Sequence, residues 1–122
     1  MNKPKIVCLC GSTRFYEAFQ QANYEETMQG KIVLSVGFYP HNQVKAHGQE
    51  VGCTPEQKAI LDELHLRKID LADEVLILNV DGYIGQSTLR EVQYAMTHNK
   101  RVRYLSPDLV PMFLLGDENA KG

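Results

Sequence analysis

A parallel α/β domain, one sheet with helices on both faces, is the fold class this sequence predicts, and three observations carry the prediction. Residues 5–10 and 74–80 are short, apolar runs rich in branched side chains, the pattern of strands buried on both faces. Residues 31–36 and 100–105 add two more strands, and the stretches between strands carry helix caps and stops, so the two element types alternate. A right-handed crossover from the first strand to the second makes that pair parallel.

Taken in order, the first strand runs into Gly11-Ser12-Thr13-Arg14 and a helix to about Gln29, with Gly30 as its stop. Phe15, Ala18, Phe19 and Ala22 form one apolar stripe on that helix, while Glu17, Gln21 and Glu25 face water. After the second strand, periodicity disappears over residues 37–54; a lid or binding loop and a surface excursion both fit this segment. Thr54-Pro55-Glu56-Gln57 then opens the second helix with a threonine cap, proline at the first helical position and a glutamine that completes a capping box. It runs to about Leu71, with Leu61, Leu64 and Ile69 as its apolar stripe. Asp70, Asp73 and Glu74 fall at the turn into the third strand and are expected to be solvated. That strand leads into a glycine-bearing loop from Asp81 to Ser87 and a third helix reaching Thr97 or His98, with Asn99 as a left-handed cap. Residues 109–115 supply a short closing helix. The expected architecture is a flavodoxin-like three-layer fold with a parallel sheet of four to five strands in the order 2-1-3-4(-5). Residues 1–116 form one domain, and 117–122 a flexible tail.

A chain of 122 residues can bury roughly two-thirds of its unfolded surface in one core. Its net charge of −2, with both signs interspersed, offers no basic footprint for polymeric DNA or RNA. No apolar run approaches the roughly 20 residues of a membrane span, and the run after Met1-Asn2-Lys3-Pro4-Lys5 is too short for a signal peptide, so no membrane partner and a cytoplasmic location are expected. Cys8 and Cys10, two apart on a strand, point to the same face and read as reduced structural thiols. His41, His47 and Cys53, with five residues between successive members, match no zinc finger or knuckle spacing.

In the order 2-1-3-4 the topological switch point lies between the first and third strands, so the two glycine loops open onto one crevice. Gly11, Ser12, Thr13 and Arg14 offer backbone N–H groups, hydroxyls and a guanidinium at a helix start, which suits a phosphate or carboxylate; an ordinary turn capped by Ser12, with Arg14 solvated, fits equally well. Thr88 and Glu91 have capping-box spacing, so Glu91 reads either as a cap or as a carboxylate that the helix N-terminus keeps ionised and nucleophilic beside the crevice. His65 lies about two turns back up the second helix, roughly 12 Å closer to the crevice than Asp73, as a core residue or an acid–base group.

Cys10-Gly11-Ser12-Thr13-Arg14, then Leu64-His65-Leu66 with Ile69 and Ala72-Asp73, then Gly85, Ser87 and Glu91, then Lys100-Arg101-Val102, resemble in order and spacing the nucleoside 2-deoxyribosyltransferase superfamily, including the 2'-deoxynucleoside 5'-phosphate N-hydrolases. The similarity spans about residues 5–106. It implies that Glu91 is the nucleophile that attacks an anomeric carbon, that Gly11 to Arg14 hold a 5'-phosphate, that Gly85 and Ser87 shape the sugar site, that Asp81 contributes to substrate binding, and that His65 assists protonation. The implied activity is N-glycosidic hydrolysis or deoxyribosyl transfer on a nucleoside 5'-monophosphate or related nucleoside, without metal or cofactor, in a homodimer or higher homo-oligomer. The sequence departs from the family pattern at three points: His65 stands where an aspartate is usual, Cys8 where a tyrosine is frequent, and the loop before Glu91 is about two residues longer. A phosphoribohydrolase of the cytokinin-activating type, suggested by Gly85, Thr88 and Glu91, and a non-catalytic nucleotide-binding module are the alternatives. The apolar residues Leu109, Val110, Met112, Phe113, Leu114 and Leu115 fit either a subunit contact or packing on the chain's own sheet.

Overall fold

The structure, a computed structural model, describes residues 3–37, 39, 45, 46, 49, 50 and 54–115. Its centre is a sheet of β1 (Ile6–Cys10), β2 (Ile32–Leu34), β3 (Glu74–Ile77) and β4 (Arg101–Tyr104), all parallel, in the order β2-β1-β3-β4. This is the flavodoxin-like arrangement, and no fifth strand joins it among the described residues. A two-residue antiparallel ladder, Lys45–Ala46 with Gln49–Glu50, stands apart from it. The rest of the expected 37–54 loop is outside the described residues, apart from Gly37, Tyr39 and Thr54, and so is the 117–122 tail.

Strand alternation divides the core in two. Val7, Leu9, Leu76 and Leu78 point to one face, where Phe19 and Ala22 of α1 (Tyr16–Met28) cover them. Cys8, Cys10, Val75 and Ile77 point to the other, beneath Ile69 of α2 (Pro55–Leu71), the adjoining Ala72, and Val92 and Ala95 of α3 (Gln86–Thr97). Both faces of β1 and β3 are therefore dry, which is why their sequences lack a polar alternation. The helix ends follow their local chemistry. Gly30 at φ 84° and Asn99 at φ 60° end α1 and α3 in the left-handed region. The Thr54 hydroxyl accepts from Gln57 N while the Gln57 side chain accepts from Thr54 N, closing the capping box of α2.

Four expectations need correction. Of the apolar stripe assigned to α2 only Ile69 is buried; Leu61 and Leu64 are exposed. A helix of 17 residues is about 25 Å long, whereas strands of four or five residues span roughly 13–17 Å, so the N-terminal half of α2 overhangs the sheet. Glu74 is buried, not solvated, and is held by Lys31 and Arg103. Asp73 and Asp70 stay exposed but are engaged, accepting from Ile6 N and from the Tyr94 hydroxyl. The closing segment forms two 3-10 turns, Pro107–Leu109 and Met112–Leu115, in place of one helix. Leu114 joins the α2/α3-side core, while Leu109, Met112 and Phe113 are exposed. No helix among the described residues is long and apolar enough to cross a membrane.

Candidate functional site

At the carboxyl edge of the sheet, between β1 and β3, the chain leaves two loops that diverge to opposite faces, and a cleft of about 420 Å³ opens there. Gly11, Ser12 and Thr13 line it from the β1 loop, Gly85 and Ser87 from the β3 loop, His65 from α2 and Glu91 from α3. Seven of the nine predicted site residues therefore meet in one place. A second cavity, of about 320 Å³, lies between α2 and α3, and Asp62, Ser87 and Glu91 border both.

The β1 loop approaches β3 closely. A side chain at Gly11 would put its Cβ 3.2 Å from Leu78 Cβ and 3.3 Å from the Leu78 carbonyl, so any larger residue there would crowd β3 and require Leu78 to give by a few tenths of an ångström. Ser12 does not cap α1: its hydroxyl accepts from Arg14 N at 3.3 Å, and α1 begins at Tyr16 after Phe15, with no side-chain cap. Arg14 is not part of the cleft lining. Its guanidinium lies 4.8 Å from the centre of the Tyr83 ring, which does line the cleft, so Arg14 borders the mouth through that ring. Asp81 is not part of the lining either. It occupies a left-handed conformation (φ 52°) in the 3-10 turn Val80–Gly82 and is exposed.

Glu91 is in neither the first turn of its helix nor a capping box. Gly85 is the cap residue, without a side-chain cap, and accepts from Leu89 N at 2.8 Å; α3 thus begins at Gln86, and Thr88 is buried inside it. That places Glu91 in the second turn, beyond the strongest influence of the helix dipole. Burial, not the dipole, sets its charge: desolvation pushes the carboxyl up to about 7, His65 pulls against this, and Cys8 and Asp62 reinforce it. The carboxyl is a group half ionised near neutral pH, not the permanently charged one predicted.

His65 is buried, and its Nε2 lies 3.1 Å from the Leu9 carbonyl and 3.6 Å from the sulfurs of both Cys8 and Cys10. A carbonyl only accepts, so Nε2 carries a proton. Burial works against the imidazolium, but the hydrogen bond and charge of Cys8 and the charge of Glu91 outweigh it and raise its pKa. The Cys8 thiol is brought down to about 6, first by the hydrogen bond from Cys10, with burial opposing and His65 assisting. Cys10, the donor of that bond and itself fully buried, is raised. The two strand cysteines share a face and are free, buried thiols in the core, as expected. Their ligand atoms and that of His65 all lie within 4.8 Å of one another. His41, His47 and Cys53, weighed above as zinc ligands, lie outside the described residues.

Sequence reasoning missed Lys58, Asp62, Lys68 and Tyr83, which also line the cleft. Lys58 Nζ donates to Asp62 at 2.8 Å and to Ser87 Oγ at 3.4 Å, tying α2 to the β3 loop, and Lys68 Nζ donates to the Ser35 carbonyl. A signal was present: Lys58, Asp62, His65 and Lys68 follow helical spacing and form one polar stripe. Comparison with family models, curated proteins and solved structures finds no match for this chain.

Proposed function

We propose that the protein cleaves the N-glycosidic bond of a nucleoside 5'-monophosphate or related nucleoside, by hydrolysis or by deoxyribosyl transfer, with Glu91 as nucleophile. The observation that carries this reading is a desolvated carboxyl opening onto a cleft between two glycine loops, with a histidine on the facing helix. A pocket of this volume accommodates a sugar and a base.

In this scheme the ionised Glu91 attacks the anomeric carbon, the carbon–nitrogen bond breaks, and the base leaves with a proton. His65, whose imidazolium is stabilised by Cys8 and Glu91, supplies that proton. Water, or a second base in the transfer reaction, then attacks the glycosyl-enzyme and frees the carboxylate. Asp62 softens the absence of an aspartate at position 65: it lies one helical turn earlier, lines the same cleft and senses the charge of Glu91. The backbone and hydroxyls of Gly11, Ser12 and Thr13, with Lys58 across the cleft, favour an anionic group on the substrate. Tyr83, backed by Arg14 and Phe15, offers an aromatic surface at the mouth. The exposed Leu109, Met112 and Phe113 are among the apolar side chains open to self-association.

The test is to incubate the purified protein with deoxy- and ribonucleosides and their monophosphates and to follow free base by chromatography, beside Glu91→Gln. Release of base by the wild type and its loss in the variant is the expected result. No release from any substrate, or full activity in Glu91→Gln, would overturn the reading, and ligand binding without turnover would point to a nucleotide-binding module.

A further inference from the structure

The reaction scheme does not require two cysteines beside the histidine. Cys8 and Cys10 are the adjacent same-face positions of β1, both sulfurs are fully buried, and the imidazole of His65 is placed with Nε2 at the same 3.6 Å from each. Nε2 is held midway between the sulfurs by its 3.1 Å hydrogen bond to the carbonyl of Leu9, the residue between the two cysteines. The same spacing fits a tetrahedral cation: with metal–sulfur bonds of about 2.3 Å and a metal–nitrogen bond of about 2.0–2.1 Å, the sulfur–nitrogen edge is about 3.6 Å. Glu91 supplies a carboxylate on the cleft side of this cluster. Its place in the cleft lining leaves a route by which an ion can enter.

We propose that Cys8, Cys10 and His65 form a binding site for a thiophilic divalent cation of the zinc class, with the fourth position open toward the cleft that Glu91 lines. Two thiolates and a neutral imidazole form a borderline-soft donor set that favours zinc over magnesium or calcium. The ion replaces the proton now held on His65 Nε2 and the protons remaining on the thiols, and these are released to solvent. Because the site enlists His65, an ion bound there removes the histidine from any glycosyl chemistry and places a positive charge beside Glu91. The cation is thus an inhibitor of the activity proposed above, not its cofactor. The site itself stands on the cysteine–histidine geometry and is independent of that activity.

The experiment is titration of chelator-treated protein with Co²⁺ under reducing conditions, followed by Zn²⁺. A thiolate-to-cobalt charge-transfer band that saturates at one equivalent and is displaced by Zn²⁺ is expected. Cys8→Ser should weaken binding by more than the roughly 100-fold that loss of an outer-shell partner costs, and Cys53→Ser should leave it unchanged. Should the serine at a buried position prevent folding, the zinc absorption edge of the wild-type protein decides the matter, with two sulfurs expected at about 2.3 Å. Absence of the thiolate band, its persistence in folded Cys8→Ser, its loss in Cys53→Ser, or a zinc shell of nitrogen and oxygen only would overturn the site. These readouts do not depend on turnover, so they separate the metal site from the glycosidase reading. If base release is observed, Zn²⁺ should suppress it and a chelator should restore it.

Discussion

Two buried charged clusters lie at opposite edges of the same sheet and are built on opposite plans. At the amino edge, Glu26 and Glu74 are each bonded by both Lys31 and Arg103. Burial alone would raise both carboxyls, but the hydrogen bonds and charges of the two cations outweigh it and hold them below the usual range. At the carboxyl edge Glu91 is also desolvated, yet it faces a thiol, an imidazole and open space, and it titrates at about 7. The amino-edge carboxylates are matched by fixed cations and serve the fold. The carboxyl-edge group lacks such a match and opens onto the cleft, the setting in which the proposed chemistry would use it.

The largest effect that would break this contrast is chemical. Glu91→Gln should reduce base release by about 10⁴-fold, as loss of a group acting directly on the reacting atoms does, while its thermal midpoint stays level or rises. A midpoint that falls sharply would show that Glu91 is a structural group like Glu74. Conversely, Glu74→Ala leaves Lys31 and Arg103 short of a buried partner and should cost about 3 kcal/mol, a drop of roughly 10 °C in a thermal melt, with ligand affinity unchanged in the folded fraction. A melt within 2–3 °C of the wild type would mean the amino-edge cluster is dispensable.

Stability against pH sharpens the comparison, because the two edges have opposite signs. Glu26 and Glu74 have lowered pKa values, so their contribution is present above the ordinary carboxylate value of 4.5 and is lost as pH falls through their folded values. Glu91 has a raised pKa, so the folded state holds its proton more tightly than the unfolded chain and stability declines as pH rises from 4.5 to about 7. Chemical denaturation of Glu91→Gln across that window should lose this decline, a few kcal/mol at most at about 1.4 kcal/mol per pKa unit. Turnover should run the other way, rising through pH 7 as the nucleophile ionises. The smallest expected effect is at the cleft wall. Lys58→Ala removes an exposed ion pair with Asp62, so the melt should shift by about 1 °C or less, whereas KM for a nucleoside monophosphate should rise about tenfold if Lys58 contacts the phosphate.

How far the sequence could be read depended on the range of the interactions involved. The strands, the Thr54 capping box, the helix stops at Gly30 and Asn99, and the parallel order were all legible, because local spacing and short-range sterics specify them. The meeting of residues 11–13, 85, 87 and 91 was legible too, since strand order alone brings both loops to one edge. The displacement of Asp81 and Arg14 was not. Asp81 turns away because its backbone is left-handed in a 3-10 turn, and Arg14 is drawn over the Tyr83 ring. Glu74 looked like a turn residue, and only the cross-strand placement of Arg103 and the approach of Glu26 on α1 bury it in charge.

By itself, the sequence determined the alternation of strands and helices, the sheet edge where the two glycine loops meet, and one of the two carboxylates that line the cleft there. Tertiary structure alone decided what that carboxylate is. Desolvation and the Cys8–Cys10–His65 cluster are sums over neighbours far apart in the chain. A pKa depends on those neighbours, so the spacing of Thr88 and Glu91 implied a charged cap where the folded protein holds an acid poised near neutrality.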